Sequence, residues 1–125
     1  MIKKIILTLL MIFTIVSCSY SQDCKTVRNG KFKIDSEYGT SYITRDKNIQ
    51  TERSDKHTVI LDVEWINDCT YLLKNPRNEK GEIIKEAKGH ILTVQISEIK
   101  DKTIRTITTA NFSDSIIEAE LEILD

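Results

Sequence analysis

Proline is almost missing from this chain: Pro76 stands alone. Glycine is scarce as well. Gly30, Gly39, Gly81 and Gly89 lie too far apart to build a loop that cradles phosphate, so nucleotide chemistry has no obvious seat. Histidine is limited to His57 and His90. Neither has a second His or a Cys at ligand spacing, which argues against a zinc site. No serine sits in a Gly-x-Ser-x-Gly elbow. A basic excess is absent too: 18 Lys and Arg face 19 Asp and Glu, for a net charge of −1, which is no footprint for nucleic acid. Repeats and low-complexity segments are lacking. No set of nucleophile, base and orienting group can be assembled. These absences lead to the expectation of a protein that is not an enzyme, with no cofactor and no metal.

What the chain does have begins at its start. Lys3 and Lys4 precede an apolar run from Ile5 to Val16, interrupted only by Thr8 and Thr14. Small residues follow at Ser17-Cys18-Ser19 and at Ser21. That is the layout of a bacterial export signal. The run is short for a membrane span and leads into polar chain. Two cuts fit. Ile15-Val16-Ser17-Cys18 resembles a lipobox, in which case residues 1–17 are removed and Cys18 is lipidated. Otherwise Ser19-Tyr20-Ser21 directs removal of residues 1–21. The remaining chain is 125 − 17 = 108 or 125 − 21 = 104 residues, one small domain covering 22–125 in the second case. Loss of two lysines leaves 16 basic against 19 acidic residues, or −3. The expected place is the periplasm, or the outer membrane through a lipid on Cys18, or else the medium. The lipid would be the sole membrane contact.

Cysteine usage fits that place. Cys18 is lipidated or discarded by either cut. Cys24 and Cys69 are left as a pair in an oxidising compartment, where a disulfide is expected; two free thiols are the alternative. So small a domain buries only about two-thirds of its unfolded surface, and a covalent staple would help it.

After Asn29-Gly30 nearly every segment alternates apolar and polar residues, the period of a strand. Phe32 and Ile34 alternate with lysines. Tyr42-Ile43-Thr44 and Ile49 to Arg53 are short strands. Thr58 to Ile66 puts Val59, Leu61, Val63 and Trp65 on one face. Asn67-Asp68 turns it into Cys69 to Leu73. Asn75 to Gly89 is the longest polar stretch, and Glu82 to Lys88 has room for about two helical turns. Ile91 to Ile99, Thr103 to Ala110 and a last strand follow. That last strand carries Ile117, Ala119, Leu121 and Ile123 on one face and Glu118, Glu120 and Glu122 on the other. About eight strands with tight turns predict an all-β, antiparallel up-and-down meander. It would form a small lipocalin-like barrel or a sandwich after an N-terminal signal helix.

Three stretches carry a resemblance. They are Cys24-x5-Gly30-Lys31-Phe32, then Arg45-x4-Gln50-Thr51-Glu52, then Val63-Glu64-Trp65-Ile66-Asn67-Asp68-Cys69-Thr70-Tyr71. Over roughly residues 24–73 the chain resembles a family of small exported all-β proteins common in Bacteroidota. The resemblance implies the fold and the export but no activity. Some members carry a topoisomerase label. A short, exported, net acidic chain has neither ATP nor DNA to meet, so that label finds no support here.

Candidate binding residues come from the same stretches. Arg45, Gln50 and Glu52 face one another across a predicted hairpin. Turned inward, they form a buried polar cluster, either a ligand anchor or a plug; turned outward, a surface pair. Trp65 and Tyr71 flank the Asn67-Asp68 turn and either wall a pocket or pack in the core. Asp114-Ser115-Ile116 resembles an O-glycosylation acceptor, and Asn111-Phe112-Ser113 fits an N-glycosylation sequon. The expected function is a barrel that binds a small apolar ligand or a lipid. The alternative is an inhibitor or assembly subunit that binds another envelope protein. Nucleic acid is not an expected partner.

Overall fold

Alternating side chains give each strand one apolar face. A row of such strands hides those faces by curling on itself. The computed structural model describes residues 23–36 and 39–124. The export leader, Cys18 and both cleavage points lie outside the described residues. Eight strands run in order: β1 (Gly30–Ser36), β2 (Gly39–Asp46), β3 (Ile49–Arg53), β4 (Thr58–Asn67), β5 (Thr70–Arg77), β6 (Leu92–Lys100), β7 (Thr103–Ala110) and β8 (Ser113–Leu124). Each pairs antiparallel with the next, and β8 returns to β1 to close a barrel. Of the two architectures the alternation allows, the barrel is the one that forms.

The inner faces supply the core. Phe32, Ile43, Leu61, Val63, Tyr71, Leu73, Val94, Ile96, Ile104 and Leu121 are all buried there. Each fully buried aliphatic or Phe side chain contributes roughly 1.5–3 kcal/mol. Glu118, Glu120 and Glu122 point outward into solvent, as the alternation requires.

The two ends differ. At one end lie the turns after β2, β4 and β6. There a 3-10 turn, Cys24–Val27, folds in with Cys24 and Val27 buried. Asp23 caps it through the backbone N–H of Lys25, at 3.1 Å. The Cys24–Cys69 disulfide bolts this turn to the chain just before β5. That end is closed. The opposite end holds the connections after β3, β5 and β7, and there the ring is less complete. β1 pairs with β8 only from Lys31↔Leu124 to Ile34↔Leu121. From Ser113 to Glu120, β8 has β7 alone beside it.

The two helical turns for which 82–88 has room do not form. Ile83 is held in a β-bridge with Arg77, and Gly89 leaves the segment at φ +80°. Between them only Lys85–Ala87 winds, as a single 3-10 turn.

Candidate functional site

The β2–β3 hairpin sets the site. Its loop is two residues, Lys47 and Asn48, with φ of 48° and 65°. Positive φ at both positions makes the tight turn that matches strand twist and fixes the register. Arg45 therefore lies directly opposite Gln50, and Ile43 opposite Glu52. Ile43 is a core residue, so its neighbours two positions away point inward with it. Arg45 is 3 % exposed and Gln50 1 %. The inward reading of this cluster is the one observed.

A buried guanidinium must spend its donors on protein groups. Arg45 Nε donates to Gln50 Oε1 at 3.1 Å, Nη1 to the Val27 carbonyl at 3.0 Å, and Nη2 to the Tyr71 hydroxyl at 3.2 Å. Gln50 Nε2 then donates to Glu52 Oε1 at 2.8 Å. Only one orientation of the Gln50 amide serves both neighbours, since the cation needs its oxygen and the carboxylate its N–H. Gln50 is thus an adaptor between two buried charges of opposite sign. Aromatic rings complete the cage. The guanidinium carbon lies 4.9 Å from the Phe32 ring centre, 4.6 Å from Tyr71 and 5.8 Å from Trp65. Trp65 packs on Tyr71 at 4.7 Å, and Arg28 covers it at 4.8 Å.

Burial opposes charge on all three titratable members. Desolvation lowers the Arg45 pKa, although Tyr71 and Glu52 pull it back up. It raises Glu52, against the Gln50 hydrogen bond and the Arg45 charge. It raises Tyr71 as well, with Arg45 opposing. Arg45 remains the cation, and Glu52 is the carboxyl most easily protonated here.

All five candidate residues meet, and they meet at the closed end. Cys24 and Cys69 are bonded beside them, which is compatible with an oxidising compartment. Tyr71 is core, and Trp65 is half-buried over it. The Val27 carbonyl, Phe32 and Arg28 belong to the same arrangement and carry no sequence signal of chemistry. Their positions follow from the 3-10 turn, which the disulfide fixes. Elsewhere, His57 is exposed in the connection after β3, and His90 stacks on Phe112 at 3.9 Å. Asn111 is occupied: its side chain accepts from Ile91 N and donates to the Gly89 carbonyl. Asp62 on β4 accepts from Arg77 Nη2 at 2.9 Å and Asn75 Nδ2 at 2.8 Å, which holds its carboxyl below the usual range. Among the described residues no group of three His, Cys, Asp or Glu is placed to hold a metal ion.

Where β1 parts from β8 there is a half-open cleft of about 680 Å³. Ile34, Ile117 and Ala119 line it together with the charged Asp35, Arg105 and Glu118. Ile116 and Ile117 are 68 % and 58 % exposed beside it.

No protein-family model, no curated protein and no solved structure matches this chain.

Proposed function

We propose that this chain is an exported, non-enzymatic binding module of the cell envelope. It holds one small apolar or amphipathic molecule at the open end of its barrel. One observation carries the reading: the ring is stapled and filled at one end and left partly unpaired at the other. An eight-stranded barrel is just wide enough to be filled by side chains or to hold a single small ligand. Arg45, with three of its donors committed to protein, braces the closed end together with Gln50, Trp65 and Tyr71. The leader delivers the chain across the inner membrane, and the cut before Cys18 or before Gln22 decides whether a lipid anchors it.

An apolar fluorophore, N-phenyl-1-naphthylamine, tests this with the purified disulfide-bonded protein. Emission should rise on a saturable, one-to-one binding curve, and an envelope lipid extract should displace the dye. A flat titration would sink the proposal.

A second reading has its own observation. Ile116 and Ile117 are exposed along the part of β8 that β1 does not cover, and Phe112 is exposed in the turn before it. An open strand edge with apolar side chains is a surface for another protein's strand. Under this reading the chain is an inhibitor or subunit whose partner is an envelope protein. Replacing Ile116, which lies outside the cleft lining, by Lys should then abolish recovery of that partner from envelope fractions while leaving dye binding unchanged.

A further inference from the structure

We infer that the uncovered edge of β8 takes an extended segment of another protein whose residues alternate basic and apolar. This rests on the second reading above, strand addition at β8, and names the chemistry of the strand that adds.

The backbone supplies the first part. Ile123 N–H donates to the Lys102 carbonyl at 2.7 Å. From Ile117↔Thr108 to Glu122↔Thr103 the register with β7 is unbroken. Backbone groups alternate sides along a strand, so odd-numbered residues here turn theirs toward β7 and even-numbered ones toward β1. β1 covers β8 only as far as Leu121. Glu118 therefore aims its N–H and carbonyl into the gap where β1 no longer runs. From Ser113 to Glu120 this edge spans roughly 25 Å, room for an average strand of about 5–6 residues. The cleft of about 680 Å³ lies in that gap, with Ile34 to Ser36 on one bank and Ile117 to Glu120 on the other.

The side chains supply the rest. Ile117 and Ala119 share the inward face of β8 with the buried Leu121, and Ile34 packs against the core from β1. They offer an apolar seat to every second residue of an incoming strand. The charged part of the lining is unbalanced: Asp35, Glu118 and Glu120 stand against Arg105 alone. Arg105 is spent on Glu120 at 3.2 Å and Glu98 at 3.7 Å, and Lys33 on Asp35 at 3.8 Å. Glu118 lies opposite Ile107 on β7. It has no ion pair among the described residues. A strand with Lys or Arg opposite Glu118 brings the missing cation, since opposite charges directly across paired strands attract and like charges repel. The same rule argues against a second copy as the occupant. Two copies of β8 laid antiparallel over this edge set Glu118 against Glu118, or Asp114 against Glu118 or Glu120. An acidic edge bars its own kind and admits a basic strand.

The test uses the mature, disulfide-bonded protein and an end-blocked synthetic octapeptide of alternating Lys and Val. Its controls are a twin with Glu for every Lys and a scrambled peptide that groups the lysines. Calorimetry reads affinity, and amide hydrogen exchange reads the place. The Lys peptide should bind about tenfold or more tighter than the Glu twin. It should also slow exchange at the Glu118 N–H, and the scrambled peptide should not. Glu118→Lys should reverse the order: the Glu twin then binds about tenfold more tightly than to the native chain, a gain that damage to the fold cannot mimic. Glu86→Lys makes the same charge change on an exposed residue outside the cleft lining, and should leave the order as it was. If Lys and Glu peptides bind equally and both protect Glu118, the basic assignment falls and strand addition stands. A scrambled peptide that binds as tightly as the alternating one would reduce the effect to diffuse charge and overturn the assignment. So would a native chain that dimerises with Glu118 protected. If no peptide protects Glu118, the assignment and the strand-addition reading fall together.

Discussion

Replacing Arg45 by Met is the sharpest perturbation of this molecule. Met keeps much of the volume and the apolar stem, so the cage of Phe32, Trp65 and Tyr71 still closes. What disappears is the charge and three donated hydrogen bonds, at 3.1, 3.0 and 3.2 Å. Gln50 Oε1, the Val27 carbonyl and the Tyr71 hydroxyl each lose a donor, and Glu52 loses its compensating cation. A buried acceptor left without a partner costs about 1–3 kcal/mol. Arg45 reaches Glu52 only through Gln50, so the lost charge compensation costs no more than the roughly 3–5 kcal/mol of breaking a buried ion pair from one side. The two figures overlap, because they describe the same desolvated groups, so the expected loss is about 3–5 kcal/mol rather than their sum. For a domain whose whole stability is of order 5–15 kcal/mol, that is a large fraction. Urea unfolding followed by Trp65 emission, with the disulfide intact, should show the midpoint falling by about 2 M. The double variant Arg45→Met/Glu52→Gln should recover about 1–2 kcal/mol relative to additive losses, since the unpaired carboxylate is then gone. A loss under about 1 kcal/mol, or strict additivity, would refute the view that Arg45 holds the closed end together.

Further outcomes follow from the same contacts. Changing Cys24 and Cys69 to Ser opens a loop with a sequence separation of 45, and the chain-entropy model expects a loss of about 4 kcal/mol in urea unfolding. Glu52 has its pKa raised above the ordinary value of 4.5, chiefly by burial. The folded state then binds its proton more readily than the unfolded state, so its contribution is full below the ordinary value and is lost as pH rises through the folded one. Glu52→Gln should therefore become more stable relative to the native chain as pH rises from 4 to 7, seen as diverging urea midpoints. Gly30 sits at φ +143°, and a Cβ there would lie 3.3 Å from Phe32 Cζ. Gly30→Ala should cost about 1–3 kcal/mol, read as a drop of several degrees in melting temperature.

Much of the barrel was legible because strands buried on one face announce themselves by period two. Val59-Leu61-Val63-Trp65 and Ile117-Ala119-Leu121-Ile123 gave both the strands and their inner faces. The inward turn of Arg45 and Glu52 was implicit in the same rule, since Ile43 shares their face. What the rule cannot supply is the partner of a strand far away in the chain. The pairing of Lys31 to Ile34 with Leu121 to Leu124, which decides between ring and sandwich, has no local mark. Nor does the docking of Val27 on Arg45, which depends on a disulfide closing a long loop. The helical turns that 82–88 could hold do not form for a similar reason: the bridge from Ile83 to Arg77 outweighs a weak local propensity.

Native mass spectrometry of the protein released gently from its own envelope fraction reaches the heart of this account. The prediction is a chain shortened by its leader, two hydrogens lighter for the Cys24–Cys69 bond, carrying one neutral adduct of a few hundred daltons that organic solvent removes. A full-length chain with both thiols free and no adduct would contradict it.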